Sequence, residues 1–356
     1  MLLIVDGLPA RHVGASVTPC LAALGTEGAF AVGRSVMTSA TYPNHATFAT
    51  GTDPIGHRIL ANWLWTERGP KPAQQVGPAV PTIFDACRSA GRTSVAVVGD
   101  HHLVPVMGAA RADEHWPPDG VLADDVVRDA HGYAADEEVL TRLLPLLERG
   151  DVDLVVAHLN EPDTFGHVHG PDSEAAHDGY RATDRRVGVI IDALRPAWED
   201  TVVLVVSDHD QETAGPQDPI DLYAPAEAVG GRLACIPEGN GAVVWGHDPT
   251  SGAWLDEVAG IAGHAEAWPG ARVVWAEPHR WFALPPGFDL GGPEPGQHGG
   301  STTRAQVAVT AGGHPAAREI AASIGARSPE AADWAPTIAA LLDLDLPDAT
   351  GVSLCS

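Results

Sequence analysis

The chain has 356 residues, 44% of them apolar, enough to bury one large α/β domain or two ordinary ones. Its 21 basic and 47 acidic side chains give a formal charge of −26, which argues against nucleic-acid or anionic-membrane binding through surface electrostatics. Lys71 is the sole lysine and sits in a GPKP turn, so Schiff-base and P-loop lysine chemistry fall away.

In chain order, the aliphatic runs Leu2–Val5, Ser94–Val98, Leu154–Ala157, Val202–Val206 and Gln306–Val309 predict strands, apolar on both faces as buried parallel strands are. Between them, helices are predicted over Thr18–Gly28, Pro43–Thr50, Pro81–Ala90, Ala134–Glu148, Ser173–Leu194 and Ala331–Leu342. Pro19, Pro43 and Pro81 fall at or near first helical positions, where a missing N–H costs nothing. The alternation predicts a largely parallel central sheet with helices on both faces. From Thr213 to Gly296 the rhythm breaks into Gly-, Pro- and Trp-rich sequence. Short strands are expected there at Ala242–Trp245 and Arg272–Trp275, with a helix-like piece near Leu255–Ala267. The division expected is a core of residues 1–212 and 297–356, carrying a small inserted cap subdomain of residues 213–296.

The four cysteines are scattered without a CxxC pair, so neither a disulfide framework nor a thiolate zinc site is suggested. No apolar run approaches the ~20 residues that span a bilayer. MLLIVDG reads as a first strand without a charged leader, so a cytoplasmic location is expected.

Three acids stand at or just beyond predicted strand ends: Asp6 after LLIV, Asp163 past DLVVAHL, and Asp208 after TVVLVVS. Ligands of open α/β sheets bind beyond the carboxyl ends of the strands, so these acids are expected to converge. His209 follows Asp208, His167 lies near Asp163 in a predicted loop, PDTFGHVHGP, and His298 stands in GQHGG. Carboxylates with imidazoles suit zinc or a similar first-row metal, and these six suffice for two metals if a hydroxyl completes one shell. Singly, each acid reads more readily as a helix cap or turn former and each histidine as a surface or hydrogen-bonded residue; it is their joint placement at successive strand ends that points to a site. Thr41 precedes the Pro43 helix, where unpaired N–H groups favour a phosphoryl group. A metal-bound threonine oxygen is a competent nucleophile, and the alternative is that Thr41 caps the helix.

The segments MLLIVDG, TYPNHATFATGTDPIGH, EPDTFGHVHGP, SDH and GQHGG occur in the order of the alkaline phosphatase superfamily. They most resemble its nucleotide pyrophosphatase/phosphodiesterase branch, and WAPTIAALLDLDLPDATG resembles the superfamily's closing helix and turn. The resemblance implies an alkaline phosphatase-like fold with two divalent metal ions, usually zinc, although Asp/His sites also accept manganese or iron. It implies Asp6, Thr41, Asp208 and His209 around one metal, and Asp163, His167 and His298 around the other. Thr41 would attack phosphorus to form a phosphothreonine, and Asn44 would donate to a phosphoryl oxygen. Tyr42 is expected either to stack on substrate or to fill the core, and Trp63 and Trp65 to pack. His101, in the GDHH that ends another strand, is expected to face substrate, while His45, His158 and His169 play supporting roles.

Two departures stand out: SDHDQE puts Asp210 and Glu212 beside the site, and Arg58 replaces a glycine common after His57. The expected activity is hydrolysis of phosphodiester or pyrophosphate bonds in a small-molecule phosphate ester, without nucleic-acid or membrane partners. The alternative within the superfamily is a phosphomonoesterase or a phosphonate hydrolase of the phosphonoacetate hydrolase type. A non-catalytic metal-binding relative is the third reading.

Overall fold

A computed structural model describes residues 1–66, 68–230, 232–248, 250–285 and 294–355. Eleven strands and eight helices of it matter here. The strands are β1 (Leu2–Val5), β2 (Ala29–Arg34), β3 (Ser94–Val98), β4 (Glu114–Trp116), β5 (Leu154–Leu159), β6 (Val203–Val206), β7 (Ala234–Glu238), β8 (Gly241–Trp245), β9 (Ile261–Trp268), β10 (Ala271–Ala276) and β11 (Ala305–Ala311). The helices are α1 (Pro19–Glu27), α2 (Thr41–Thr50), α3 (Ile83–Ala90), α4 (Asp136–Arg149), α5 (Glu161–His169), α6 (Glu174–Leu194), α7 (Pro315–Ala326) and α8 (Trp334–Leu342).

Seven strands form the main sheet in the order β2–β11–β6–β1–β5–β3–β4. β6, β1, β5, β3 and β4 are mutually parallel, and β11 runs antiparallel to both β6 and β2. Period-two alternation assigns β1 to both sides of the core. Leu2 and Ile4 face a cluster with Phe48, Phe84 and Trp334 from α2, α3 and α8. Leu3 and Val5 face Leu21, Leu143 and Ile190 from α1, α4 and α6. The expected α/β architecture with helices on both faces is therefore present. The edge strand β2 and helix α7 were not expected from the sequence; β2 alternates buried and exposed residues too weakly to stand out.

Within residues 213–296, β7–β8–β10–β9 form a second, fully antiparallel sheet. Residues 286–293 of the expected insertion lie outside the described ones. The helix-like piece expected at Leu255–Ala267 is instead a short 3-10 turn, Ala253–Glu257, followed by strand β9. Ladder pairing of β9 with β10, bulged at two points, overrides the alanine-rich local preference.

The strand order β6–β1–β5 puts the segments bearing Asp208, Asp6 and Asp163 side by side at one sheet edge. Asp136 fixes the third. Its carboxylate accepts the N–H groups of Asn160 (2.9 Å) and Glu161 (3.2 Å) and the Thr183 hydroxyl (2.6 Å), tying α5 to α4 and α6. The predicted loop around Asp163 and His167 is thus a helix, and their spacing of four puts both on one face.

Every residue of α2 is buried. Two of its threonines are satisfied within the helix: Thr47 and Thr50 donate to the carbonyls of Pro43 (2.9 Å) and Ala46 (2.7 Å). His57 Nε2–H donates to Thr47 Oγ1 (2.9 Å), and its Nδ1 accepts the Ile59 N–H (3.2 Å). Arg58 adopts φ +69°, which explains why a glycine is at home there. Its guanidinium lies 5.8 Å over the Trp268 ring.

Burial lowers the His57 pKa to about 3. The unfolded chain protonates this imidazole below ~6.5 while the folded one keeps it neutral, so His57 contributes stability that is complete above that pH and lost as pH falls toward 3. Urea unfolding between pH 7 and 4 should give His57→Gln a shallower pH dependence than the parent, by up to ~1.4 kcal/mol per pH unit. Parallel curves would show that His57 does not titrate this way.

Candidate active site

Asp6 directly follows β1, and its amide continues the ladder to Leu159 O (2.9 Å). Its Oδ2 accepts from His158 Nε2 (2.8 Å), while Oδ1 is buried and makes no hydrogen bond. Asp208 is held by the N–H groups of Gly7 and His209, both 3.0 Å from Oδ1. Its Oδ2 is likewise buried and makes no hydrogen bond. The two unpartnered oxygens meet around His209 Nε2, which lies 3.7 Å from Asp6 Oδ1, 3.2 Å from Asp208 Oδ2 and 3.4 Å from Thr41 Oγ1.

Asp163, His167 and His298 form the adjoining cluster, with ligand-type atoms all within 4.8 Å of one another. Each of three histidines donates Nδ1–H to a backbone carbonyl: His167 to Gly296 (2.9 Å), His209 to Asp210 (3.2 Å) and His298 to Ser39 (3.1 Å). In a neutral ring, as at His209 and His298, that fixes the tautomer and leaves Nε2 as the inward lone pair. The His209 and His298 rings stack at 3.8 Å, joining the two clusters. Gln211 from SDHDQE donates to the Asp163 carbonyl (3.0 Å) and carboxylate, while Arg11 pairs with Asp210 (2.5 Å). Glu212 turns to Asn240 instead (2.6 Å).

Electrostatically the site is overloaded with acid. Burial, then the charges of Asp208 and Asp163, raise Asp6 well above the carboxylate range, and burial raises Asp208. Burial pushes Asp163 up as well, but His167 and His298 hold it below its ordinary value. Burial lowers His209 to about 4 and also holds His298 well below the usual imidazole range. Against burial, Asp163 and Glu294 raise His167 to about 9.

Helix α2 begins at Thr41, two residues earlier than expected; its N-cap is Ala40, and the Thr41 hydroxyl lies 3.4 Å from His209 Nε2. The capping alternative therefore does not describe it. The expectation for Asn44 needs correction. Its Oδ1 accepts the Val36 N–H (2.9 Å), and its Nδ2 donates to the carbonyls of Ala40 (2.9 Å) and Thr38 (3.5 Å), so its amide is spent on backbone.

The helix terminus is also poorer in free donors than expected. Pro43 has none, the Asn44 N–H goes to Ala40 O, and the Tyr42 N–H goes to Asn62 Oδ1 (3.0 Å). Asn62 is the residue whose position beside Thr41 sequence reasoning missed. It lies 21 positions downstream, and only the fold brings it back. Its Nδ2 has no hydrogen-bond partner among the described residues.

Tyr42 is buried in the core, with its hydroxyl on His102 Nδ1 (3.0 Å), so it fills space and does not offer a stacking face. Trp63 and Trp65 are about half exposed where packing was expected. Trp63, Asn62, Tyr133, Trp281, Phe282 and Glu238 line a cleft of about 850 Å³ that also reaches His167 and His298. His101 is not on its wall. The His101 ring packs on His102 at 3.9 Å, and Tyr133 faces the cleft instead. Asp100, His101 and His102 have ligand-type atoms within 4.8 Å of one another, although His102 is already engaged by Tyr42 and Asp100. His45 and His158 brace Asp208 and Asp6, and His169 stacks on Phe165.

A family model described as "Type I phosphodiesterase / nucleotide pyrophosphatase" matches residues 1–275. The chain belongs to this family. Within the type I phosphodiesterase/nucleotide pyrophosphatase family, it is 25% identical over 224 residues to ectonucleotide pyrophosphatase/phosphodiesterase family member 1 of Mus musculus, covering 60% of this chain and 24% of that protein. It is 38% identical over 65 residues to mouse family member 7, covering 18% of this chain and 15% of that protein. The chain thus spans about a quarter of the length of the first of these relatives.

Among solved structures, murine ectonucleotide pyrophosphatase/phosphodiesterase 5, as an inactive variant in complex with AMP, superposes with TM-score 0.73 at 18% identity, covering 98% of this chain and 96% of that one. Phosphonoacetate hydrolase from Sinorhizobium meliloti 1021 superposes with TM-score 0.69 at 19% identity, covering 87% and 88%. Both likenesses show the shared fold.

The crowding of buried carboxylates yields a test on the metal-free protein. Asp6 and Asp208 titrate above their unfolded values, so the folded state binds more protons and loses stability as pH rises through and above ~4. Asp208→Asn should raise the stability of chelator-treated protein at pH 8 by roughly 1 kcal/mol or more. Added zinc should stabilise the parent more than the variant. A less stable variant under chelation would contradict the charge argument.

Proposed function

We propose that the chain hydrolyses small phosphodiesters or pyrophosphates through two divalent metal ions and a phosphothreonine at Thr41. The observation that carries this is the inward convergence of the His167, His209 and His298 Nε2 atoms with the unpartnered oxygens of Asp6 and Asp208, next to the Thr41 hydroxyl. A hydrogen-bonded carboxylate oxygen would have no need of a cation. Two such oxygens orphaned in the interior do.

The donor set of three imidazoles and three carboxylates suits zinc, with manganese or iron as substitutes. Asp6, Thr41, Asp208 and His209 would hold one ion, and Asp163, His167 and His298 the other. Bound there, the ions would favour the ionised Thr41 oxygen and offset phosphoryl charge. Thr41 Oγ1 attacks phosphorus in line, forming the Oγ1–P bond as the bond to the leaving oxygen breaks. Water then cleaves the phosphothreonine and restores the hydroxyl.

Asn62 supplies the hydrogen-bond donor for the developing charge on phosphorus. Its carbonyl is anchored on the Tyr42 N–H, so the amide hydrogens are preoriented beside the nucleophile. Among the described residues lining the cleft there is no Arg or Lys. Its aromatic wall of Trp63, Tyr133, Trp281 and Phe282 suits a flat or apolar group on a small ester more than a long polyanion.

Zinc-loaded protein should hydrolyse bis-p-nitrophenyl phosphate faster than p-nitrophenyl phosphate or phosphonoacetate. Thr41→Ala should lower kcat by at least ~10³-fold, and Asn62→Ala by about 10²-fold. Asn44→Ala should cost stability, ~1–3 kcal/mol, with a much smaller effect on kcat. Full activity in Thr41→Ala refutes the nucleophile, and preference for monoester or phosphonoacetate refutes the diester reading.

A further inference from the structure

The second sheet contacts the site through one hairpin, Glu238-Gly239-Asn240-Gly241, where β7 turns into β8. On one side, the Glu238 carboxylate leaves its own sheet and accepts the Asn62 N–H at 2.8 Å. Glu238 is only 8% exposed, and burial raises its pKa to about 8. A buried acid without an arginine or lysine partner is costly, so a purely packing role would be served better by an apolar side chain.

On the other side, the Asn240 N–H donates to the His298 carbonyl (2.9 Å), and the Asn240 side chain accepts the Gly300 N–H. The backbones touch closely. A Cβ on Gly239, which has φ +64°, would fall 2.3 Å from the His298 oxygen, and one on Gly241 would fall 2.1 Å from the Gly299 oxygen. The hairpin therefore grips the segment that carries His298 and, through Glu238, the segment that carries Asn62.

We propose that Glu238 is a positioning residue for phosphoryl transfer: from the second sheet it fixes the backbone of Asn62 and thereby aims the Asn62 amide at the group attacked by Thr41. This rests on the roles of Thr41 and Asn62 given above. The chain of contacts is short and continuous. Glu238 holds the Asn62 N–H, the Asn62 side chain holds the Tyr42 N–H, and Tyr42 is bonded to the nucleophile residue. It makes the second sheet part of the catalytic framework, acting on the reaction through Asn62.

The test is a double-mutant cycle on the zinc-loaded full chain with bis-p-nitrophenyl phosphate, comparing the parent, E238A, E238Q, N62A and E238A/N62A. Loss of one buried positioning hydrogen bond is expected to lower kcat about tenfold in E238A, with KM changed less than about twofold. E238Q, which keeps a carbonyl oxygen facing the Asn62 N–H, should recover to within about threefold of the parent. Once Asn62 lacks its amide there is nothing left to aim, so E238A should cost less than about twofold further in the N62A background. Zinc content should be unchanged throughout.

If E238A does not fold, Glu238→Asp takes its place, since it retracts the carboxyl by one methylene while keeping the functional group. Multiplicative losses in the double variant, or a fully active E238A, overturn the proposal. N62A without effect on kcat would instead overturn the role of Asn62 itself. A loss in N62A with none in E238A leaves that role standing and removes only Glu238's.

Discussion

The structure depends on one electrostatic constraint, the burial of Asp6, Asp163 and Asp208 side by side at the carboxyl edge of β6, β1 and β5. Carboxylates in that setting lose their hydration, which raises both Asp6 and Asp208, and the charges of Asp208 and Asp163 raise Asp6 further. The chain does not answer them with arginine or lysine. It surrounds them with histidines whose Nδ1 atoms are committed to backbone carbonyls; burial keeps His209 and His298 neutral, while Asp163 and Glu294 favour a proton on His167. Such a site favours cations and, once they are bound, an anionic ester. The surrounding scaffold serves the same end: Asp136 locks the start of α5, and His57 locks α2.

The same constraint narrows the meaning of the −26 charge. Asp6, Asp163 and Asp208 are three of 47 acids, and most of the others are not buried, so the excess belongs mainly to the surface and disfavours long polyanions. Within the site the balance is local. A cleft walled by Trp63, Tyr133, Trp281 and Phe282 adds shape and apolar surface without adding positive charge. In the proposed reaction, recognition of the ester's organic part would therefore fall to packing and aromatic contact.

Much of this was legible in the sequence because strand ends are local signals. LLIV-Asp6 and TVVLVVS-Asp208 announce both the strand and the acid that follows it, and Asp163 and His167 keep helical spacing even where a loop was expected. What stayed hidden depends on long-range contact. Asn44 has the right residue type one turn from Thr41, yet its amide is consumed by Val36, Ala40 and Thr38. Asn62 does the facing instead, placed there by a loop closure that no periodicity encodes. Strand β9 was hidden by its alanines and a glycine, which favour no strand until β10 pairs with them. Likewise, nothing in Glu238-Gly-Asn-Gly marks a clamp until the close backbone approach to Gly299 is seen.

The most direct measurement is anomalous scattering at the zinc edge from crystals grown with zinc. Two peaks are predicted, one among Asp6, Thr41, Asp208 and His209, and one among Asp163, His167 and His298. A single peak, or zinc at Asp100, His101 and His102 with neither of the two clusters occupied, would contradict the two-metal site on which the proposed chemistry rests.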